Sequence, residues 1–260
     1  MQGAPLDDRG LLLGDGLFET LLWTEGRLVL GPEHASRMAR GADVLGLPAP
    51  TLPEFLELAE KAVRAAGLSG ARAAVRVTLT AGSGGRGLDR PEPARPRFFA
   101  TAAETARPDR PARLAISSVR RNAASPASRL KTLAYLDNVL ARREARAQGA
   151  DEAVMLNGEG KLACTAAANL FWVRDQTLYT PPPAVGCLEG TMRAAVLAAA
   201  ARLGIPVSLA QEDSAALDEA EAIFLTNSLI GLRLGVWAGG ADPEPHMLVD
   251  RLAAAVRNLA

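Results

Sequence analysis

Lys131 stands in Ala127-Ser128-Arg129-Leu130-Lys131-Thr132-Leu133-Ala134-Tyr135-Leu136, a lysine among leucines just after a polar, proline-punctuated segment. Most lysines are solvated charges whose stems lie along apolar surface. The other possibility is a working amine, which sheds its proton nearer neutral pH once desolvated and then attacks an aldehyde. That chemistry needs an aldehyde cofactor, groups that anchor it and a substrate pocket. The remaining chemistry-bearing residues therefore decide between the two.

His34 and Arg37 lie three apart on a helical pattern and are neighbours on one turn. Arg37 is a solvated cation by position and an anion-binding one in company. Gly186-Cys187-Leu188-Glu189-Gly190-Thr191-Met192-Arg193 brings a glycine just before a helix, where free N–H groups either meet an ordinary cap or bind phosphate. Thr226-Asn227-Ser228 ends a late strand as turn residues or as a second set of phosphate donors. Gly82-Ser83-Gly84-Gly85-Arg86-Gly87 follows a strand, but Leu88-Asp89-Arg90-Pro91 cannot continue as the helix of a nucleotide-binding turn. What remains is a flexible surface loop or a mobile substrate loop in which Arg86 meets a carboxylate. Cys164 and Cys187 lack the short spacing of a zinc or redox site and cannot make a disulfide scaffold, and Cys164 reads as a small buried hydrophobe. No metal site is expected, because no ligand set accompanies His34.

The elements that must position these residues follow from periodicity. Leu11 to Trp23 with Leu28-Val29-Leu30 predicts two short strands in a hairpin. Helices are expected from Pro32, with Ala35, Met38, Ala39 and Ala42 on one face, and from Leu52 to Ala66. Strands are expected at Ala74–Thr80, Arg97–Thr101 and Leu114–Val119. One long helix is expected from Lys131 to Gln148, with Leu133, Leu136, Val139 and Leu140 as its apolar face and Gly149 as its stop. Ala153–Leu156, Lys161–Cys164 and Asn169–Val173 suggest a meander, Thr191–Arg202 and the stretch from Met247 are helical, and Ile223–Thr226 and Leu232–Val236 are late strands. The outline is an α/β (α+β) protein of a smaller N-terminal lobe, 1–106, a linker, 107–112, and a larger lobe, 113–260. It lacks the strand–helix alternation of a Rossmann or barrel domain.

Composition sets the outer bounds. At 260 residues, with 48% hydrophobic and 22% charged residues, the chain can bury a large core and is not globally disordered. Twenty-nine basic residues cancel 29 acidic ones, so no overall field recruits nucleic acid or an anionic membrane. The opening MQGAPLDDRG does not read as a secretory signal and no window is apolar enough to span a bilayer, so a cytoplasmic location is expected.

Taken together, several segments resemble the fold type IV enzymes that use pyridoxal 5′-phosphate, the group of branched-chain aminotransferase, D-amino acid aminotransferase and aminodeoxychorismate lyase. In order along the chain they are Leu13-Gly14-Asp15-Gly16-Leu17-Phe18-Glu19-Thr20, His34 with Arg37, Lys131 ahead of its leucine-rich stretch, Asp151 to Asn157, Asn169-Leu170-Phe171, Gly186 to Arg193, and Thr226 to Ser228. The resemblance implies a two-lobed, D-amino acid aminotransferase-like fold, a homodimer, and the cofactor at the lobe boundary. It implies that Lys131 forms the imine with the cofactor and Arg37 binds its phosphate. Thr191 and Met192 would add backbone donors, Asn227 and Ser228 would complete the phosphate site, and Tyr135 would approach the ring oxygen. Where the family carries a glutamate to the pyridine nitrogen, this chain has Cys164, which implies a shallower electron sink unless the thiol ionises or Thr165 takes its place. That departure, the GSGGRG loop and the AANLFW stretch tilt the expected activity toward aminodeoxychorismate lyase, with Arg86, Arg97 or Arg107 pairing the substrate carboxylates. A branched-chain or D-amino acid aminotransferase is the alternative.

Overall fold

A computed structural model describes residues 5–257, which fold into two compact units, 5–106 with Leu130–Tyr135, and Arg107–Arg129 with 136–257. The first unit carries α1 (Arg9–Leu13), β1 (Gly16–Thr24), β2 (Arg27–Leu28), α2 (Gly31–Leu45), α3 (Leu52–Ala65), β3 (Ala73–Thr80) and β4 (Arg97–Glu104). Its strands form an antiparallel sheet in the order β2-β1-β3-β4. Leu17, Leu21, Val75, Val77 and Leu79 pack with Met38, Ala42, Phe55, Ala59 and Val63 of α2 and α3. Because strand side chains alternate, this packing sends Phe18, Thr20, Arg76 and Thr78 to the opposite face. α3 starts on a reciprocal cap, Thr51 with Glu54, and Pro lies in its first turn.

The second unit carries β5 (Ala112–Ile116), α4 (Leu136–Ala147), β6 (Glu152–Leu156), β7 (Leu162–Thr165), β8 (Asn169–Arg174), β9 (Thr177–Thr180), α5 (Thr191–Arg202), β10 (Val207–Leu209), β11 (Ala222–Asn227), β12 (Gly231–Trp237) and α6 (Met247–Arg257). Its mixed eight-stranded sheet runs β10-β9-β8-β11-β12-β5-β6-β7. β8 lies between β9 and β11 with Leu170, Phe171, Trp172 and Val173 fully buried. Among the described residues no helix is long and apolar enough to cross a membrane.

Three expectations change. The segment at Lys131 is not helical: the Phe18 N–H donates to the Lys131 carbonyl at 2.9 Å, the Leu133 N–H donates to the Gly16 carbonyl at 3.0 Å, and Leu17 bridges Thr132. Backbone groups spent on β1 cannot close i→i−4 bonds, so the helix waits until Leu136. Its buried side is Asn138, Ala141 and Ala145, leaving Leu136, Val139 and Leu140 exposed. Leu11–Leu13 belong to a one-turn helix capped by the Asp8 side chain and by left-handed Gly14, and β9 and β10 are strands too short for their alternation to register.

Candidate active site

Glu19 is the one carboxylate on the helix-covered face of β1, and it is 1% exposed. α2 answers it: Arg37 donates from Nε to Oε1 at 2.8 Å and from Nη2 to Oε2 at 2.6 Å, and His34 Nδ1 lies 2.6 Å from Oε2. Burial would raise the Glu19 carboxyl, but the Arg37 guanidinium overrides it and holds the group down to about 2. Burial also lowers His34, which therefore stands as a neutral imidazole whose Nδ1–H donates to a carboxylate that can only accept.

Lys131 enters from the neighbouring extended segment. Its Nζ sits 4.2 Å from the ring centre of Phe18, 5.0 Å from that of Tyr135 and 3.4 Å from the Tyr135 hydroxyl. The Phe18 and Tyr135 rings meet edge to face at 5.0 Å. Burial, then the charge of Arg37 and, more weakly, that of Arg76, bring the amine down to about 8 against the opposing pull of Glu19. Such an amine is substantially unprotonated just above neutrality, which is what attack on an aldehyde requires. The structure thus gathers Lys131, Tyr135 and Arg37 within one unit.

In the second unit α5 begins at Thr191 behind Gly190, whose backbone supplies no side-chain cap. The Thr191 and Ser228 hydroxyls lie 3.3 Å apart. A Cβ at Gly190 would come within 2.1 Å of Asn169 Oδ1, so a larger residue there requires the Asn169 side chain or the helix start to shift. Thr226, paired across the sheet with Asn169, has a buried hydroxyl with no partner among the described residues. Met192 is buried beside Thr191. The Asn227 side chain is committed to the turn itself, donating to the Ala167 carbonyl at 3.0 Å and accepting from the Leu229 and Ile230 N–H groups.

Residues 16–234 match the family described as amino-transferase class IV. The chain belongs to that family. It is 27% identical to the aminodeoxychorismate lyase of Bacillus subtilis over 226 residues, covering 86% of this chain and 77% of the relative. It is 28% identical to the D-alanine aminotransferase of Listeria monocytogenes over 235 residues, covering 86% and 78%. The crystal structure of a branched-chain aminotransferase from Thermoproteus uzoniensis superposes with a TM-score of 0.90 at 26% identity, covering 98% of this chain and 89% of that one. This class IV member is therefore a fold type IV, two-lobed α/β protein of a pyridoxal-phosphate-dependent family, and its relatives divide between lyases and aminotransferases.

Each unit taken by itself has residues that fit part of that cofactor. In the second, an uncapped helix start, two adjoining hydroxyls and an unsatisfied buried hydroxyl suit a phosphate; in the first, a lysine lowered to about 8 suits an aldehyde. Cys164 lies in β7 within an apolar cluster of Ala115, Ala141, Met155, Val185 and Cys187. Burial pushes its thiol up to about 12. The nearby cation Arg121 is occupied by the Gly186 carbonyl, Asn138 Oδ1 and the Ser128 carbonyl. Ionisation of Cys164 is thus disfavoured, and the Thr165 hydroxyl is tied into a turn with Ala168.

Of the candidate substrate residues, Arg86 is exposed in the glycine-rich loop, Arg107 is exposed in the second unit, and Arg97 lies 3.4 Å from the buried carboxylate of Asp8. The loop is pinned rather than loose. The buried Arg9 guanidinium donates to the carbonyls of Gly87, Leu88 and Asp89 while its Nε meets Asp15, which also binds Arg90. Nothing in the sequence signals Arg9 and Arg76 as site residues, and Asp15, Phe18 and Glu19 stand there only as parts of one motif. For Glu19 a signal existed: a carboxylate two residues from Leu17 and Leu21 on an apolar strand face must find a cation.

Proposed function

We propose that this protein is a 4-amino-4-deoxychorismate lyase that uses pyridoxal 5′-phosphate to release pyruvate and leave 4-aminobenzoate, a step toward folate. The observation that carries the choice is the neutral, apolar surrounding of Cys164 at the position where the resemblance expects a carboxylate. When bound, the cofactor supplies an electron-accepting ring, and a thiol leaves that ring a weaker acceptor than a carboxylate would. Amino transfer depends on a deep acceptor throughout, whereas in the elimination the electron pair leaves with the breaking carbon–oxygen bond and the product ring becomes aromatic.

Lys131 does the proton work. As a free base it takes the proton from the carbon bearing the substrate amine, and the resulting ammonium returns a proton to the departing three-carbon fragment. Phe18 and Tyr135 confine the amine on two sides. Glu19 and His34 orient Arg37, which we assign with Thr191, Met192, Asn227 and Ser228 to the phosphate, Asn227 shaping the turn that presents Ser228. Arg86 is the preferred partner for a substrate carboxylate, because Arg97 already faces Asp8; Arg107 is a further candidate.

The test is pyruvate release from 4-amino-4-deoxychorismate by the cofactor-loaded protein, set against amino transfer from branched-chain or D-amino acids to 2-oxoglutarate. Pyruvate with negligible transfer is expected; transfer without pyruvate selects the aminotransferase. Cys164→Glu is expected to gain amino transfer, and no gain in a folded, cofactor-binding variant removes the acceptor-strength argument.

A further inference from the structure

Two cations share one aromatic ring beside the working amine. Arg76, on β3 opposite Thr20 of β1 and Thr101 of β4, holds its guanidinium carbon 3.7 Å from the Phe18 ring centre. Lys131 Nζ lies 4.2 Å from the same centre. Among the described residues no acidic side chain pairs with Arg76; its guanidinium lies over the Phe18 ring, with Tyr135 also within electrostatic reach.

An aromatic ring attracts a cation through its quadrupole, and a ring already polarised toward one cation attracts a second less. The guanidinium is permanently charged at any working pH, whereas the ammonium can shed its proton. The less stable of two crowded cations is therefore the lysine, and it relieves the crowding by becoming neutral. The other groups of this unit that face Lys131 are Glu19 of β1, which favours the ammonium, Arg37 of α2, which opposes it, the neutral His34, and Tyr135 of its own segment. Arg37 lowers the amine more than Arg76 does and is opposed by its own partner Glu19, whereas Arg76 has no paired carboxylate among the described residues to offset it.

We propose that Arg76 is a positioning residue that acts on Lys131 through the ring of Phe18, denying the ammonium the full attraction of that ring and keeping the amine a free base. This rests on the reading of Lys131 as a nucleophile, and its test reads the amine itself rather than turnover, so failure of the assigned reaction and failure of this inference give different results.

The chain has only three lysines, Lys61, Lys131 and Lys161, which makes the measurement direct. The full-length protein, stripped of aldehyde with hydroxylamine, is acetylated with limiting acetic anhydride across pH 6 to 11, and each lysine is followed by mass spectrometry. Arg76→Met is expected to move the Lys131 midpoint upward by about half a pH unit or more, the scale of a lost partly exposed cation–π competition. Lys61 and Lys161 should not move, and Arg76→Lys should keep the wild-type midpoint. In a Phe18→Leu background Arg76→Met should shift the midpoint distinctly less. The inference is overturned if Arg76→Met leaves the midpoint in place, if Arg76→Lys shifts it equally, or if the shift is undiminished without the Phe18 ring. Should Phe18→Leu not fold, the comparison of Arg76→Met with Arg76→Lys still decides.

Discussion

Holding a lysine near two arginines costs the fold stability, and the cost is what makes the amine useful. Lys131 falls to about 8 in the folded protein from 10.5 when free. A depressed lysine disfavours folding in full below the folded value, and the penalty fades as pH rises toward the unfolded one. Lys131→Met should therefore abolish turnover yet gain on the order of 1 kcal/mol at pH 7, after discounting for its partial contact with solvent. Urea unfolding at pH 7 and pH 10.5 checks this; the gain must shrink at the higher pH. Glu19 has the opposite sign. Its carboxyl is held at about 2 against an ordinary 4.5, so its contribution is complete above 4.5 and is lost as pH falls toward 2. Glu19→Gln removes the buried carboxylate charge that Arg37 and His34 both face and should cost on the order of 3–5 kcal/mol at pH 7 while flattening the acid limb of the stability profile. Lys131 stood out only through its company, since His34 with Arg37, the glycine before α5 and Thr226-Asn227-Ser228 follow the order of a known family. Arg76 did not, because its partner Phe18 lies on another strand and alternation alone does not say which ring a long side chain reaches.

At the scale of elements, the sequence revealed periods well and pairings poorly. Thr191–Arg202 was readable to the residue, since a glycine precedes it and the alanine-rich run has no competing partner. The stretch at Lys131 was misread because Leu133, Leu136, Val139 and Leu140 keep helical spacing across a boundary set by long-range bonds to β1. Nothing local distinguishes a leucine whose backbone has been taken by a strand more than a hundred residues earlier. The start of α5 offers the sharper experiment. Gly190→Ala would force a Cβ against Asn169 Oδ1, and relief requires either the helix start or the Asn169 contact to the Leu188 carbonyl to move. Displacing the first-turn N–H groups should weaken pyridoxal 5′-phosphate binding by about tenfold or more, the cost of roughly one charge-assisted hydrogen bond. Titration followed by absorbance reads it, with inorganic phosphate as competitor. Unchanged affinity, with Asn169→Ala in the same background leaving it unchanged as well, would place the relief at Asn169; unchanged affinity in a variant whose helix start is shown by hydrogen exchange to have moved would detach this helix start from the phosphate.

At the scale of the whole molecule, the exposed leucines of α4 ask for a partner. Leu136, Val139 and Leu140 are 67%, 59% and 41% exposed and recur at three and four, so they form one stripe on the side away from Ala141 and Ala145. Periodicity found the stripe but could not say that it faces outward, because small alanines had taken the buried side. A contiguous apolar stripe of this kind is costly in water, and a two-fold axis buries it against its own copy without any new sequence. We therefore expect the protein to be a homodimer built in part on α4. Leu136→Glu combined with Val139→Glu places two carboxylates on each copy where the stripes meet, so repulsion adds to the lost burial. Light scattering should show the wild type at twice the chain mass and the double variant at or near the chain mass, with unchanged far-ultraviolet circular dichroism. A wild type that is already monomeric at tens of micromolar, or a double variant that stays dimeric, would remove α4 from the interface.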